Sequence, residues 1–172
     1  MAIFHGVVVL ARNLKYLRRM AANGIVNPVW TLRAAAKAGL PLALACAFLE
    51  QESGGGHNLF GHDPGIYTGA GVVTKVKYLA YKAERQRFGN RFMQGVGPMQ
   101  LTWWSYQDAA DRAGGCWRPY CNMLIGFAHA ESLIRHYGLR AGIADYNGSG
   151  EAARQYAASV LAKRARWDRI FK

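Results

Sequence analysis

Eight apolar residues run without a break from Leu42 to Leu49, and Glu50-Gln51-Glu52-Ser53 and Gly54-Gly55-Gly56 follow at once. Such a run is too short to cross a bilayer and too apolar to sit on a surface, which predicts a buried helix that delivers a carboxylate to a loop. Pro41 suits the first helical turn, where a missing N–H costs nothing, and the glycines suit an exit that needs positive φ. Ending a buried helix on a glutamate has an electrostatic consequence. The macrodipole places partial negative charge at the helix C-terminus and apolar walls exclude water, and both raise a carboxyl pKa. A glutamic acid that keeps its proton near neutral pH can donate it. Steps of three, four and seven back from Glu52 reach Leu49, Phe48 and Ala45; Glu50 points about 200° away, over Cys46 and Ala47. Both faces are apolar, so periodicity leaves the choice between the two acids open, and solvated glutamates on an exposed last turn are the plain alternative.

The rest of the chain reads as helices separated by glycine-rich breaks. Phe4 to Ala22 carries Val7, Leu10, Leu14 and Leu17 at helical spacing with basic residues between them, which predicts a surface helix packed on its own domain. A short helix is expected from Val29 to Ala38. Ser53 to Val73 is rich in Gly, His, Asn, Asp and Pro and predicts a loop or small hairpin, well placed for substrate contacts. Thr74 to Phe88 returns to helical character through Val76, Leu79, Ala80 and Ala83, and carries Lys75, Lys77, Lys82, Arg85 and Arg87. Further helices are expected over Trp103 to Ala113, Asn122 to Tyr137, and from Ser149 onward, with Ser149 as N-cap and Ala153, Tyr156, Ala157, Val160, Leu161 and Trp167 along the apolar face. The expected architecture is mainly α, one domain over residues 1–172 with 1–40 packed on it as a helical segment, and at most a small β-hairpin.

The chain has 172 residues, 51% of them hydrophobic, which suffices for one sizeable core. A formal charge of +12 and a pI near 10.0 call for a polyanionic partner: nucleic acid, an anionic membrane or an acidic wall polymer. Three cysteines without ligand spacing give no zinc pattern; Cys116 and Cys121 can bridge in an oxidising compartment or stay as separate thiols. Arg12, Lys15, Arg18 and Arg19 follow the short apolar run Val7 to Ala11, the reverse of a secretory signal. His57 and His62 have no third ligand spaced with them, so solvated loop histidines are expected, and neither metal nor cofactor is called for.

Four pieces fall in order: Glu52-Ser53, Gly97-Pro98-Met99-Gln100-Leu101-Thr102, an Ala144-Asp145-Tyr146-Asn147-Gly148 turn, and Tyr156 in the closing helix. In this order and helical context, over roughly Leu42 to Trp167, the chain resembles the goose-type lysozymes and soluble lytic transglycosylases. The resemblance implies a lysozyme-like fold and cleavage of the β-1,4 bond between N-acetylmuramic acid and N-acetylglucosamine. It singles out Glu52 over Glu50 as the catalytic acid, with Ser53 as the small polar residue beside it. Met99 and Gln100 match the turn at the floor of the saccharide cleft, Tyr146 and Asn147 the pair beside the scissile bond, and Tyr156 the tyrosine whose hydroxyl approaches the acid. One departure bears on mechanism. Goose-type lysozymes carry an aspartate two residues after the Met-Gln pair, where this chain has Thr102, which leaves Asp63 as the best second carboxylate, although an aspartate before a proline is also an ordinary turn residue. The inserted helix Thr74 to Phe88 is a second departure, either a basic wall over the cleft or a solvated decoration. By residue type alone, Tyr146 and Tyr156 can equally be core aromatics with satisfied hydroxyls, and Trp103-Trp104 can stack on sugar rings, although tandem tryptophans opening a helix are more often expected in the core.

These readings converge on a phage endolysin: a monomeric muramidase made in the host cytoplasm without an evident signal peptide, acting on bacterial peptidoglycan after release by a holin, with no nucleic acid partner and no stable membrane insertion. Hydrolysis is the expected chemistry and lytic transglycosylation, which gives 1,6-anhydromuramic acid, the alternative. A basic wall- or nucleic-acid-binding domain without activity is the different-class alternative, and it leaves the Glu52, Gln100 and Tyr146 pieces unexplained.

Overall fold

A computed structural model describes residues 13–61 and 71–172. Among these the chain is mainly helical, 72% helix with no strands, in keeping with the mainly α expectation. Residues 13–22 form the described part of α1; α2 spans Pro28–Ala38, α3 Leu42–Ser53, α4 Lys75–Phe88, α5 Trp104–Arg112, α6 Pro119–Tyr137, α7 Leu139–Asn147 and α8 Gly150–Phe171. The expected helix over 4–12, like His62 and Asp63, lies outside the described residues.

Helix α3 is the axis of the molecule. Every residue from Ala43 to Leu49 is buried, because a helix that is apolar all round has no face to offer water. Burying Leu44, Phe48 and Leu49, each at most 1% exposed, stabilises the fold by roughly 1.5–3 kcal/mol per side chain. Gly54 ends the helix in the left-handed conformation at φ 63°. Gly55 has a second reason to be glycine: a Cβ there would lie 2.1 Å from the Gly24 carbonyl oxygen, and Val26 N–H donates to the Gly55 carbonyl at 3.0 Å. The end of α3 is thereby laced to the turn after α1. No single described helix is long and apolar enough to cross a membrane, and the apolar pair α2 and α3 is bent by 120°.

Helix α8 packs along α3, with α7 beside it and α6 against α7 and α2. Of its expected face, Ala153, Tyr156, Ala157, Val160 and Trp167 are buried and Leu161 is partly buried. Ser149 occupies the N-cap position without a side-chain capping bond. The far end of α8 meets α1, where Arg19 donates to the Ile170 carbonyl at 2.5 Å and Tyr16 packs edge-on to Phe171.

Three expectations change. Helix α6 starts at Pro119, at the first helical position, rather than at Asn122. The stretch Ala144 to Gly148, expected as a turn, is the last part of α7, and only Gly148 leaves the helix; Gly138, with φ 83°, separates α6 from α7 without the longer loop a turn reading requires. On α4, Val76 and Leu79 are 79% and 47% exposed, and the buried face is Tyr78, Tyr81 and Arg85. That face is polar at its edges because α5 supplies partners. Tyr78 donates to Asp111 at 3.0 Å, Lys82 reaches Asp111 at 2.6 Å and Asp108 at 3.2 Å, and Arg85 donates to Gln107 at 2.6 Å and Asp108 at 2.8 Å. Buried charges are tolerated when they are paired in this way. Thr74 caps α4 by accepting from the Lys77 N–H.

Where a loop or small hairpin is expected, the described residues hold two isolated antiparallel bridges, Leu59 with Val72 and Phe60 with Val96. All three cysteines are free and buried, so Cys116 and Cys121 are separate thiols. Burial pushes the Cys116 thiol up to about 12, which keeps it protonated and inert.

Candidate active site

Glu52 sits on the last turn of α3, with Phe48 one turn below it. Burial pushes its carboxyl up to about 7, and a hydrogen bond donated by the Tyr156 hydroxyl of α8 pulls against that rise by favouring the ionised form. Desolvation wins. The same burial, reinforced by the nearby Glu52 charge, holds the Tyr156 phenol far above its ordinary value, so the tyrosine is a donor at any working pH. Glu50 has a different occupation: its carboxylate is paired with Arg166 and accepts from the Trp167 indole N–H at 3.1 Å, fastening α3 to α8. Helix α8 thus presents different partners to the two acids, a cation and an indole to Glu50 and a neutral hydroxyl to Glu52.

The turn before α5 is built by internal bonds. Val96 and Leu101 exchange backbone hydrogen bonds at 3.2 and 3.0 Å, Gly97 N–H donates to Leu59, and Gly61 N–H donates to Gly95 at 2.7 Å. Met99 is fully buried beneath the floor: its N–H donates to Asn122 Oδ1 at 2.9 Å, and its side chain lies over Gly126, where a Cβ would come within 2.5 Å of it. Its side chain is therefore a foundation of the cleft and is not open to a ligand. Gln100 is the one non-glycine residue with positive φ, 45°, among the described residues, and the cost of that conformation is met by its own amide, which donates to the carbonyls of Gly97 at 2.8 Å and Leu59 at 3.1 Å. Ser53 donates to the Pro98 carbonyl at 2.7 Å and accepts from Gly56 N–H at 3.2 Å. Its hydroxyl is spent on joining the acid helix to this turn.

Above the floor lies a cleft of about 710 Å³, lined by Glu52, Gly61, Gly95, Gln100, Leu101, Thr102, Trp103, Tyr106, His129, Leu133, Asp145, Tyr146, Asn147 and Gly148. Helix α7 brings Tyr146 and Asn147 to it. Tyr146 packs on Phe48 with ring centroids 5.1 Å apart and donates to the Met99 carbonyl at 2.8 Å; burial and the Glu52 charge raise its phenol well above the ordinary value. Asn147 is exposed at the rim. Thr102 lines the wall and donates to the Gln100 carbonyl at 3.2 Å. Asp63 lies outside the described residues.

Trp103 and Trp104, expected in the core, are 58% and 48% exposed, and Trp103 lines the cleft. Burying an indole here would need an apolar partner, and α5 turns Gln107 and Ala110 inward instead. Sequence reasoning missed Tyr106 and His129 entirely. They stack across α5 and α6 with centroids 4.2 Å apart at 32°, and no local pattern could have paired residues from two separate helices.

No family model matches this chain, and no match was found among curated proteins or among solved structures.

Proposed function

We propose that the protein is a peptidoglycan-cleaving muramidase with a lysozyme-like fold, in which Glu52 protonates the leaving glycosidic oxygen. The observation that carries this reading is the Glu52 carboxyl, half-buried at the wall of an open cleft and raised by desolvation to about 7. Glycosidic cleavage needs a proton donor at the bond and stabilisation of an oxocarbenium-like centre, and an acid half-protonated near neutrality meets the first need. The cleft suits a saccharide chain: an exposed indole for a sugar face, and amide and hydroxyl groups for its substituents. The +12 charge favours an anionic wall. An endolysin released through a holin is the biological setting that fits this reading.

The test is a zymogram with peptidoglycan in the gel. The wild-type protein should clear it, Glu52→Gln should not, and Glu50→Gln should clear it because its carboxylate only pairs α3 with α8. No clearing by the wild-type protein would favour a non-enzymatic binding domain instead. Mass spectrometry of the released fragments separates the two chemistries: reducing ends for hydrolysis, and products lighter by one water for transglycosylation. Thr102 in the wall, where goose-type lysozymes carry an aspartate, is the observation that favours the second.

A further inference from the structure

Hydrolysis needs a group to take a proton from water, and Glu52 enters the reaction already protonated. An inverting glycosidase uses a second carboxylate roughly 6.5–9.5 Å from the acid for this purpose. Two described residues of the cleft can act as bases toward water, Asp145 and His129. Asp145 is exposed at the rim. His129 is half-buried in the wall, on α6, in ring contact with Tyr106 of α5 at 4.2 Å and Tyr146 of α7 at 5.4 Å between centroids. Tyr146 also packs on Phe48, one turn below Glu52, so a continuous aromatic wall runs from the imidazole to the acid helix. Neither imidazole nitrogen has a hydrogen-bond partner among the described residues, and His129 lines the open cleft. An imidazole packed against two aromatic rings, with neither nitrogen bonded to a described residue, is placed to bind water or a hydroxyl group.

We propose that His129 is the proton acceptor that activates the attacking water. The inference rests on the hydrolytic form of the function proposed above. In the step, a water O–H passes its proton to a free imidazole nitrogen, the water oxygen bonds to the anomeric carbon, the bond from that carbon to the glycosidic oxygen breaks, and the Glu52 proton goes to the departing oxygen. Charge balances as Glu52 becomes carboxylate and His129 imidazolium. The groups facing the imidazole are consistent with that order. Burial lowers its pKa below the ordinary imidazole value, so it is neutral when substrate arrives, while Asp145 opposes that shift and would stabilise the imidazolium once formed. Tyr106 and Tyr146 are both held above the ordinary phenol value and contribute no charge.

The experiment is the pH profile of kcat/KM, with reducing-end and 1,6-anhydro products counted separately, for the wild-type protein, His129→Gln and His129→Ala. A working pair gives a bell: an alkaline limb from Glu52 near pH 7 and an acid limb from His129 below the ordinary imidazole pKa. His129→Gln should lower reducing-end release by about 10²-fold or more and abolish the acid limb while keeping the alkaline one. Added imidazole should restore part of the activity of His129→Ala. Should either variant fold poorly, the wild-type protein still decides, because its ratio of reducing-end to anhydro products should fall as the acid limb is entered. An acid limb retained in His129→Gln, or a wild-type protein that releases only anhydro products, overturns the role of His129 and leaves the muramidase reading standing. A wild-type protein that releases nothing overturns both.

Discussion

The Tyr156 hydroxyl donates to Oε1 of Glu52, joining residues 104 positions apart at the point where α8 crosses the end of α3. The contact sets the acidity of the carboxyl in a definite direction. Burial raises the pKa and this bond lowers it, so the value near 7 is a balance between them.

Tyr156→Phe should therefore move the Glu52 pKa upward, because only the restraint on the rise is lost. The alkaline limb of the activity profile should shift to higher pH by about one unit, with kcat reduced, given the ~1.5–3 kcal/mol typical of a hydrogen bond to a charged group shared between the two protonation states. A limb that moves to lower pH would show that Tyr156 does not bond the ionised form.

Glu52 should also cost stability. Its folded pKa lies above the unfolded value of 4.5, so the native state holds the proton more tightly and stability falls as pH rises from about 4.5 through about 7. Above that window the full penalty applies, up to about 3 kcal/mol. Glu52→Gln should accordingly melt higher than the wild-type protein at pH 8 and show little difference at pH 4, as read by thermal denaturation. An equal effect at both pH values would mean that the carboxyl is not desolvated.

Trp103→Ala should leave stability nearly unchanged, since the indole is 58% exposed. Under the proposed function it should raise KM on a short glycan by about tenfold, the equivalent of the ~1.4 kcal/mol lost with one stacked ring. An unchanged KM with unchanged kcat would place Trp103 outside the substrate path.

The basic residues of α4 should divide into two groups. Lys77 is exposed, and Lys75 lies over the Trp117 ring at 5.6 Å, so neutralising this pair should weaken wall binding most at low salt. Lys82 is bonded to Asp108 and Asp111, and Lys82→Ala should lower the melting temperature by loosening α4 from α5, leaving Asp111 without its cation while Arg85 still holds Asp108. A Lys82 variant that melts like the wild-type protein but binds the wall less would return this side chain to the binding surface.

Much of the architecture is legible in local pattern. The run from Leu42 to Leu49 has no polar face, so it must be the buried helix, and the glycines after Ser53 must end it. Ser149 before a helical stretch marks a start, and the apolar face of α8 marks a packing surface. These readings hold because capping, helical periodicity and burial are decided within a turn or two of chain. Where polar pairing across elements decides, local pattern fails. Val76 and Leu79 stay in water because α5 supplies Asp108, Asp111 and Gln107 to the opposite face of α4. Trp103 is left exposed because α5 turns Gln107 and Ala110 inward. The same division runs through the candidate site. A glutamate at the end of an apolar helix is visible in the sequence. What each glutamate meets depends on α8, which sets Arg166 and Trp167 against Glu50 and Tyr156 against Glu52. The pairing of His129 with Tyr106 likewise exists only once α5 and α6 are packed, since a pKa or a stacked ring is a property of the surrounding volume and the sequence specifies only its neighbours along the chain.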